Sequence, residues 1–267
     1  MLPTMTSRQA EILAIARAQG RVEVDELAQR FEVTPQTIRK DLNDLCDRRL
    51  LNRVHGGAVV ASGIENLAYE ARRFIAAEEK RAIGKAAASL IPNQSSLFIN
   101  IGTTTEEVAK ALLSHRGLRI ITNNLHVASI LSQNEDIEVI VAGGVVRRTD
   151  GAVVGSSAVD LIRQFKVDTA VIGASAIDED GALLDFDYRE VKVSQAIIEN
   201  ARKVILVADR LKLERAAPVK IAHLSQIHTF ITDSLTSAEL RDLCAAHNVQ
   251  VIETSGPAVF ESENSAA

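Results

Sequence analysis

Seven short apolar runs, alternating with stretches of helical spacing, occupy the chain beyond residue 79 and leave few folds open to it. The runs are Leu97–Ile101, Leu118–Ile121, Ile137–Val141, Thr169–Ile172, Val204–Val207, His228–Ile231 and Val249–Ile252, and they read as strands. Between them, Glu106–Leu113, Val127–Leu131, Val159–Phe165, Val191–Ala201 and Ala238–Ala245 carry helical patterns. A further helix, Glu78–Leu90 with Ile83, Ala86, Ala87 and Leu90 apolar, opens the series. Alternation of this kind gives an α/β domain with a mostly parallel sheet covered by helices. With 267 residues and 46% hydrophobic content, the chain is long enough for one or two domains and a sizeable core.

The first 60 residues follow a different pattern. Ser7–Gln19 is an amphipathic helix with Ile12, Leu13, Ile15 and Ala16 apolar, and Gly20 suits its C-cap. Asp25–Phe31 forms a second short helix, and Glu32-Val33 is a tight connection to a third. There Thr34 is a good N-cap and Pro35 fits the first helical position, where its missing N–H costs nothing. Ile38, Leu42 and Leu45 make one apolar stripe; Gln36, Lys40, Asn43 and Asp47 fall opposite, with Thr37 and Arg39 on the flanks. Gln, Asn, Arg and Lys are the side chains that read base edges or hold phosphates. Beyond it, Gly56-Gly57 sits between two apolar runs in Leu50–Val60, a hairpin signal, with Arg53 and His55 on its first arm within reach of phosphate. The pattern is that of a winged helix-turn-helix. The candidate contacts to duplex DNA are Thr34, Gln36, Thr37, Arg39, Lys40, Asn43, Arg53 and His55.

Charge distribution permits this. The chain carries a net charge of −5, yet its first 60 residues hold nine Lys and Arg against eight Asp and Glu. A weakly basic head on an acidic body suits moderate, releasable binding to a polyanion. Residues 61–78 show no clean period and are read as a linker, residues 79–255 as the second domain. The Ser-, Glu-, Asn- and Ala-rich 256–267 reads as a disordered tail.

Ligands of open α/β sheets sit at the carboxyl ends of strands. Four such ends here carry Gly, Ser, Thr or Asn: Gly102-Thr103-Thr104-Thr105, Asn123-Asn124, Gly143-Gly144 and Gly173-Ala174-Ser175. Glycine lets backbone amides approach an anion, hydroxyls add donors, and a following helix favours negative charge. Together they predict one polar pocket of phosphate size. Asp185, Asp187, Tyr188, Arg189 and Glu190 form a dense polar run beside a helix start, where they could meet hydroxyls or simply favour the helix dipole. The rival reading is an enzyme with Asp185, Asp187 or Glu190 as base and Lys212 as the charge. No P-loop, G-x-G-x-x-G, G-x-S-x-G or H-E-x-x-H motif accompanies them. No catalytic residue, cofactor or metal site is assigned.

The N-terminal segment resembles the DeoR family of bacterial sugar-phosphate-responsive regulators. The likeness rests on Thr34, Thr37, Ile38, Arg39, Lys40 and Asp41 along the third helix and on His55-Gly56-Gly57-Ala58 in the wing, and it extends from about Arg8 to about His247. It implies a C-terminal domain like ribose-5-phosphate isomerase and CoA transferases. Inducer-contacting positions would then fall on Gly102 to Thr105, Asn123, Asn124, Gly143, Gly144 and Lys212. It further implies a transcriptional repressor, a dimer or tetramer, that leaves its operator on binding a phosphorylated polyol or sugar. Leu184–Val191 and Ala196–Asn200 look most like the branch of the family that answers to glycerol 3-phosphate, with fructose 1-phosphate as the alternative. Two positions depart from the family pattern: many members carry Asp where Asn100 stands, and Lys where Ser194 or Gln195 stands.

Cys46 and Cys244 are too few for a disulfide framework and show no metal spacing. No run approaches the roughly 18 apolar residues of a membrane span, and no signal peptide pattern opens the chain. A cytoplasmic protein is expected, nucleoid-associated when on its operator, with either Met1 or Met5 as its start.

Overall fold

A computed structural model describes residues 5–19, 21–48, 50–54, 56–60 and 69–255. The chain separates into two compact units, Met1–Ile75 and Ala76–Ala267.

The first unit contains α1 (Ser7–Gln19), β1 (Arg21–Glu23), α2 (Val24–Arg30), α3 (Pro35–Asp47), β2 (Leu51–Val54), β3 (Gly57–Val60) and α4 (Tyr69–Phe74). Its core joins Ile12, Leu13 and Ala16 of α1 with Leu27 and Ala28 of α2 and Ile38, Leu42 and Leu45 of α3. The turn after α2 closes when the Val33 amide donates to Ala28 O at 3.0 Å, with Glu32 in the left-handed region at φ 53. Thr34 then caps α3, accepting from the Thr37 amide at 3.3 Å. The wing is a three-stranded antiparallel sheet in the order β1-β3-β2. The sequence reading does not include β1, which at three residues is too short to show a period. Its docking explains Gly57: a Cβ there would lie 2.0 Å from Val22 O. Gly20, Arg49, His55, residues 61–68 of the linker stretch and the tail (256–267) lie outside the described residues, while α4 and the start of the helix that opens at Ala77 fall in the rest of that stretch.

The second unit runs α5 (Ala77–Ser89), β4 (Ser96–Ile99), α6 (Thr103–Ala111), β5 (Leu118–Thr122), α7 (Leu125–Leu131), β6 (Ile137–Val141), β7 (Val145–Arg147), β8 (Ala152–Val154), α8 (Ser156–Ile162) and β9 (Val167–Ile172). It continues with β10 (Ala176–Ile177), β11 (Ala182–Asp185), α9 (Tyr188–Glu199), β12 (Ala201–Val207), β13 (Val219–His223), β14 (Thr229–Thr232), α10 (Ala238–Ala246) and β15 (Gln250–Glu253). Seven strands form one sheet in the order β15-β14-β12-β9-β4-β5-β6, with every neighbouring pair parallel. These are the seven apolar runs. Alternate residues of β4 face opposite sides: Leu97 and Ile99 pack with α5, α6 and α7 residues such as Ile83, Val108 and Val127, while Phe98 packs with Val191 and Ile197 of α9. The central strands β4, β9, β12 and β14 are mostly buried on both faces, which is why their runs are largely apolar, whereas the edge strands β6 and β15 keep exposed residues.

Helices α6, α7, α8 and α9 all begin two or three residues earlier than their apolar spacing indicates. Gly102, at φ 141, ends the chain's run out of β4, so Thr103–Thr105 are already the first turn of α6. Gly155, at φ 108, does the same for α8. A small antiparallel sheet, β10-β11-β13, and the β7–β8 hairpin complete the unit. From β4 the chain builds outward to β5 and β6, then returns to β9 on the other side. The crevice between β4 and β9 is therefore the switch point where an open sheet takes ligands. Among the described residues, no helix is long and apolar enough to cross a membrane.

Candidate functional site

In the first unit, α3 is split lengthwise. Gln36, Arg39, Lys40 and Asn43 are exposed, whereas Ile38, Leu42 and Leu45 are fully buried. Thr34 and Thr37 lie side by side at its start, their hydroxyls 2.9 Å apart. Asp41 turns inward beside its basic neighbours: it accepts from Arg8 Nε at 2.6 Å and from Gln9 Nε2 at 3.2 Å, locking α3 to α1. Gln9 also reaches Asp44 at 3.1 Å. Arg53 stands on β2 opposite Ala58. The unit thus offers a helix face of amide and cationic groups beside a β-wing, with the folding contacts kept on the other side.

In the second unit, the first bond of the α6 ladder runs from Glu106 N to Gly102 O at 3.1 Å, and no side chain caps the helix. The amides of Thr103, Thr104 and Thr105 are left outside that ladder, next to the positive end of the helix dipole. Thr105 Oγ1 is held by Asn100 O and Gly102 O at 2.8 Å each, so its hydroxyl serves the turn. Gly102 is needed for its backbone conformation, since an added Cβ would meet nothing closer than Thr105 Oγ1 at 3.4 Å.

At the end of β5, Asn124 caps α7 by accepting from the amides of His126 at 2.9 Å and Val127 at 3.3 Å, and its Nδ2 lies 3.4 Å from Glu106 Oε1. Asn123 is fully buried; its Nδ2 donates to Val153 O at 3.3 Å, but its Oδ1 has no hydrogen-bond partner. The β7–β8 hairpin seats here, with Val153 N on Asn123 O at 2.7 Å and Leu125 N on Gly151 O at 3.1 Å. Ala152 and Val154 also cluster with Ile101, so the hairpin flanks the Gly102 turn. Gly144, at φ 154, is pressed against Val154 O, which a Cβ would approach to 2.8 Å, while Gly143 faces open space.

The other anchor of this hairpin is Arg147. Its Nε and Nη2 clamp Asp150 at 2.8 and 2.6 Å, Nη1 donates to Asp187 at 3.0 Å, and Nη2 also meets Glu190 at 2.7 Å. Burial disfavours the guanidinium charge, but the hydrogen bonds to Asp150 and the charge of Glu190 more than offset this and raise its pKa. Burial, and next the charge of Asp185, push the Glu190 carboxyl up to about 8. Asp187 feels burial too, but its hydrogen bonds to Arg189 and Arg147 bring it down to about 2. Asp185 is consumed by Ser175 Oγ at 2.8 Å and by the amides of Phe186 and Asp187 at 2.6 and 3.3 Å. Tyr188 is 63% exposed, and Arg189 lies on the surface against Asp187.

The structure therefore brings Gly102–Thr105, Asn123, Asn124, Asp185, Asp187 and Glu190 around one end of the sheet, together with Gly144. Lys212 lies in a turn after β12 that Asp209 begins, Lys212 N donating to Asp209 O at 3.0 Å. β12 is two strands from β4, about 10 Å at the usual spacing. Sequence reasoning passed over Arg147, Asp150 and Glu106 as site residues. The Arg-x-x-Asp spacing in a turn directly after Gly143-Gly144 was the available signal for the first two. The two departures from the family pattern also meet here: Asn100 Nδ2 donates to Ser194 Oγ at 2.8 Å, a neutral pair in the buried floor.

Residues 8–63 match the DeoR-like helix-turn-helix domain, and residues 75–234 match the DeoR C terminal sensor domain. The chain is 44% identical over 246 residues to the glycerol-3-phosphate regulon repressor of Escherichia coli (strain K12), covering 92% of this chain and 98% of that protein. It is 46% identical to the protein of the same description from Haemophilus influenzae, over 84% of this chain and 88% of the relative. Among solved structures, a D-ribose-5-phosphate isomerase in complex with phospho-erythronic acid aligns over 51% of this chain and 54% of its own, at 18% identity and a TM-score of 0.39.

Proposed function

The chain belongs to the DeoR family of transcriptional regulators, and from that premise we propose that it is an operator-binding repressor released by glycerol 3-phosphate. The observation that carries the effector half of this reading is the Gly102–Thr104 turn, a glycine cradle with unclaimed helix amides, next to a buried acceptor, Asn123 Oδ1, that lacks a donor. The first suits a phosphate and the second a hydroxyl. Similarity along nearly the whole length to two glycerol-3-phosphate regulon repressors supports the choice of polyol.

In this reading residues 1–60 bind DNA and residues 79–255 sense the metabolite. Gln36, Thr37, Arg39, Lys40 and Asn43 face the major groove, Thr34 and Arg53 approach the backbone, and the protein acts as a dimer or tetramer on paired half-sites. Phosphate binds at Gly102–Thr104 and the hydroxyls turn toward Asn123 and Glu190, with Gly144 shaping the wall. Release requires that the ligand bind the operator-free state more tightly than the operator-bound one. The acid groups argue for recognition over catalysis: Asp185 accepts three hydrogen bonds, and Asp187 and Glu190 are both engaged by Arg147. The test is thermal unfolding against phosphorylated metabolites, where a ligand at about 100 times its Kd adds about 2.7 kcal/mol. A shift with glycerol 3-phosphate supports the assignment, a shift with fructose 1-phosphate alone replaces the effector, and no shift with any refutes the pocket.

A further inference from the structure

Building on that placement of the phosphate, we propose that the wall formed by Arg147, Asp150, Asp187 and Glu190 is a charge filter. It admits a neutral, hydroxyl-bearing end of the effector and rejects a second anionic group. The protein then answers to monophosphates of polyols or sugars and not to bisphosphates or phosphorylated acids of the same length.

An arginine bordering a phosphate cradle invites the opposite reading, a second phosphate receptor. The geometry speaks against it. Nε, Nη1 and Nη2 of Arg147 are all committed, to both oxygens of Asp150, to Asp187 and to Glu190. Three carboxylates surround one guanidinium, and Asp185 stands behind them, held by Ser175. Even with the proton retained on Glu190 and with Arg189 paired to Asp187 at 3.0 Å, the three carboxylates of Asp150, Asp185 and Asp187 outnumber the two guanidinium groups. Its side chains are only 15% (Arg147), 6% (Asp150), 20% (Asp187) and 10% (Glu190) exposed, so solvent and salt screen them weakly. An incoming anion meets that excess at low dielectric.

A second, independent observation concerns what the same end accepts. Asn123 is fully buried and its Oδ1 has no hydrogen-bond donor, a state that costs free energy until a donor arrives. Hydroxyl groups supply donors; ionised carboxylates and phosphate dianions do not. The hairpin ties this acceptor to the acidic wall, since β8 contacts Asn123 while Asp150 lies in the turn before β8 and Arg147 ends β7.

The experiment is titration calorimetry on the full chain with two ligand pairs, each differing by one anionic group. Glycerol 3-phosphate is compared with 3-phosphoglycerate, in which a carboxylate replaces the terminal CH2OH, and fructose 1-phosphate with fructose 1,6-bisphosphate. In the pair whose monophosphate binds, the doubly anionic partner is expected to bind at least 100-fold more weakly. Affinities within threefold of one another overturn the filter while leaving the phosphate site standing. Binding by no member of either pair overturns the phosphate site and the filter with it. In a folded Asp187→Asn variant, which removes a negative charge from the wall, the discrimination should fall to tenfold or less; an unchanged ratio removes Asp187 from the filter and refutes the assignment.

Discussion

Replacing Glu190 by Gln should flatten the pH dependence of the sensing unit's stability. In the folded protein Glu190 keeps its proton up to about pH 8, against 4.5 for the free side chain, chiefly because burial disfavours the carboxylate and because Asp185 is close. Between those values the native state holds a proton that the unfolded chain has released. Stability therefore falls as pH rises, by about 1.4 kcal/mol per pH unit for one proton. From pH 6 to pH 7.5 the native protein should lose about 2 kcal/mol through this group. For a unit of this size that is roughly 4–8 °C in Tm. Asp187 does not intrude, because its depressed value near 2 places its own contribution in acid, lost only as pH falls below about 4. The substituted amide would preserve the shape and an oxygen for Arg147 while having nothing to titrate. Differential scanning calorimetry of both proteins at half-unit steps, in phosphate-free buffer, gives the difference curve, in which all shared titrations cancel. Parallel Tm curves, within about 1 °C across the range, would show that Glu190 is ionised throughout and that the buried-acid argument is wrong.

Arg39→Ala with Lys40→Ala should abolish operator binding in a gel-shift assay and leave calorimetric metabolite binding within twofold, since both side chains are exposed on α3. Thr34→Ala removes the cap on α3 and should cost about 1 kcal/mol of first-unit stability in chemical denaturation followed by circular dichroism. Gly102→Ala has room for its methyl group but not for its φ of 141, so it should disrupt the turn by about 1–3 kcal/mol and reduce metabolite affinity far more than operator affinity. A Gly102→Ala protein with wild-type metabolite affinity would show that the anion does not sit on this turn.

The large sheet was legible because its strands are mostly apolar and alternate with helical stretches; all seven were found. The short strands outside that sheet, β1, β7, β8, β10, β11 and β13, do not alternate with helices in that way to set them apart and were not read. The Gly102 turn, the proposed anion site, stands out in the sequence because glycine and hydroxyls cluster locally. Arg147 is not assigned from the sequence, because its partners Asp187 and Glu190 come from 40 and 43 residues away. The Asn100–Ser194 bond spans 94 residues, so the two departures from the family pattern gave no hint that they were partners. Asp41 is different in kind. It lies three residues after Ile38 and four before Leu45, so helical spacing alone placed it on the buried stripe, and the basic residues beside it concealed this.

That division of α3 has a consequence for how such a regulator changes its target. The positions that hold the head together, Ile38, Asp41, Leu42 and Leu45, do not overlap with the exposed Gln36, Arg39, Lys40 and Asn43. If the outer set is the proposed DNA-reading face, substitutions there would alter what is recognised without passing through an unstable ancestor. Duplicated copies are then free to drift to new operators one residue at a time. The same separation makes the helix a cassette, in which operator preference can be transplanted by exchanging only the outer residues.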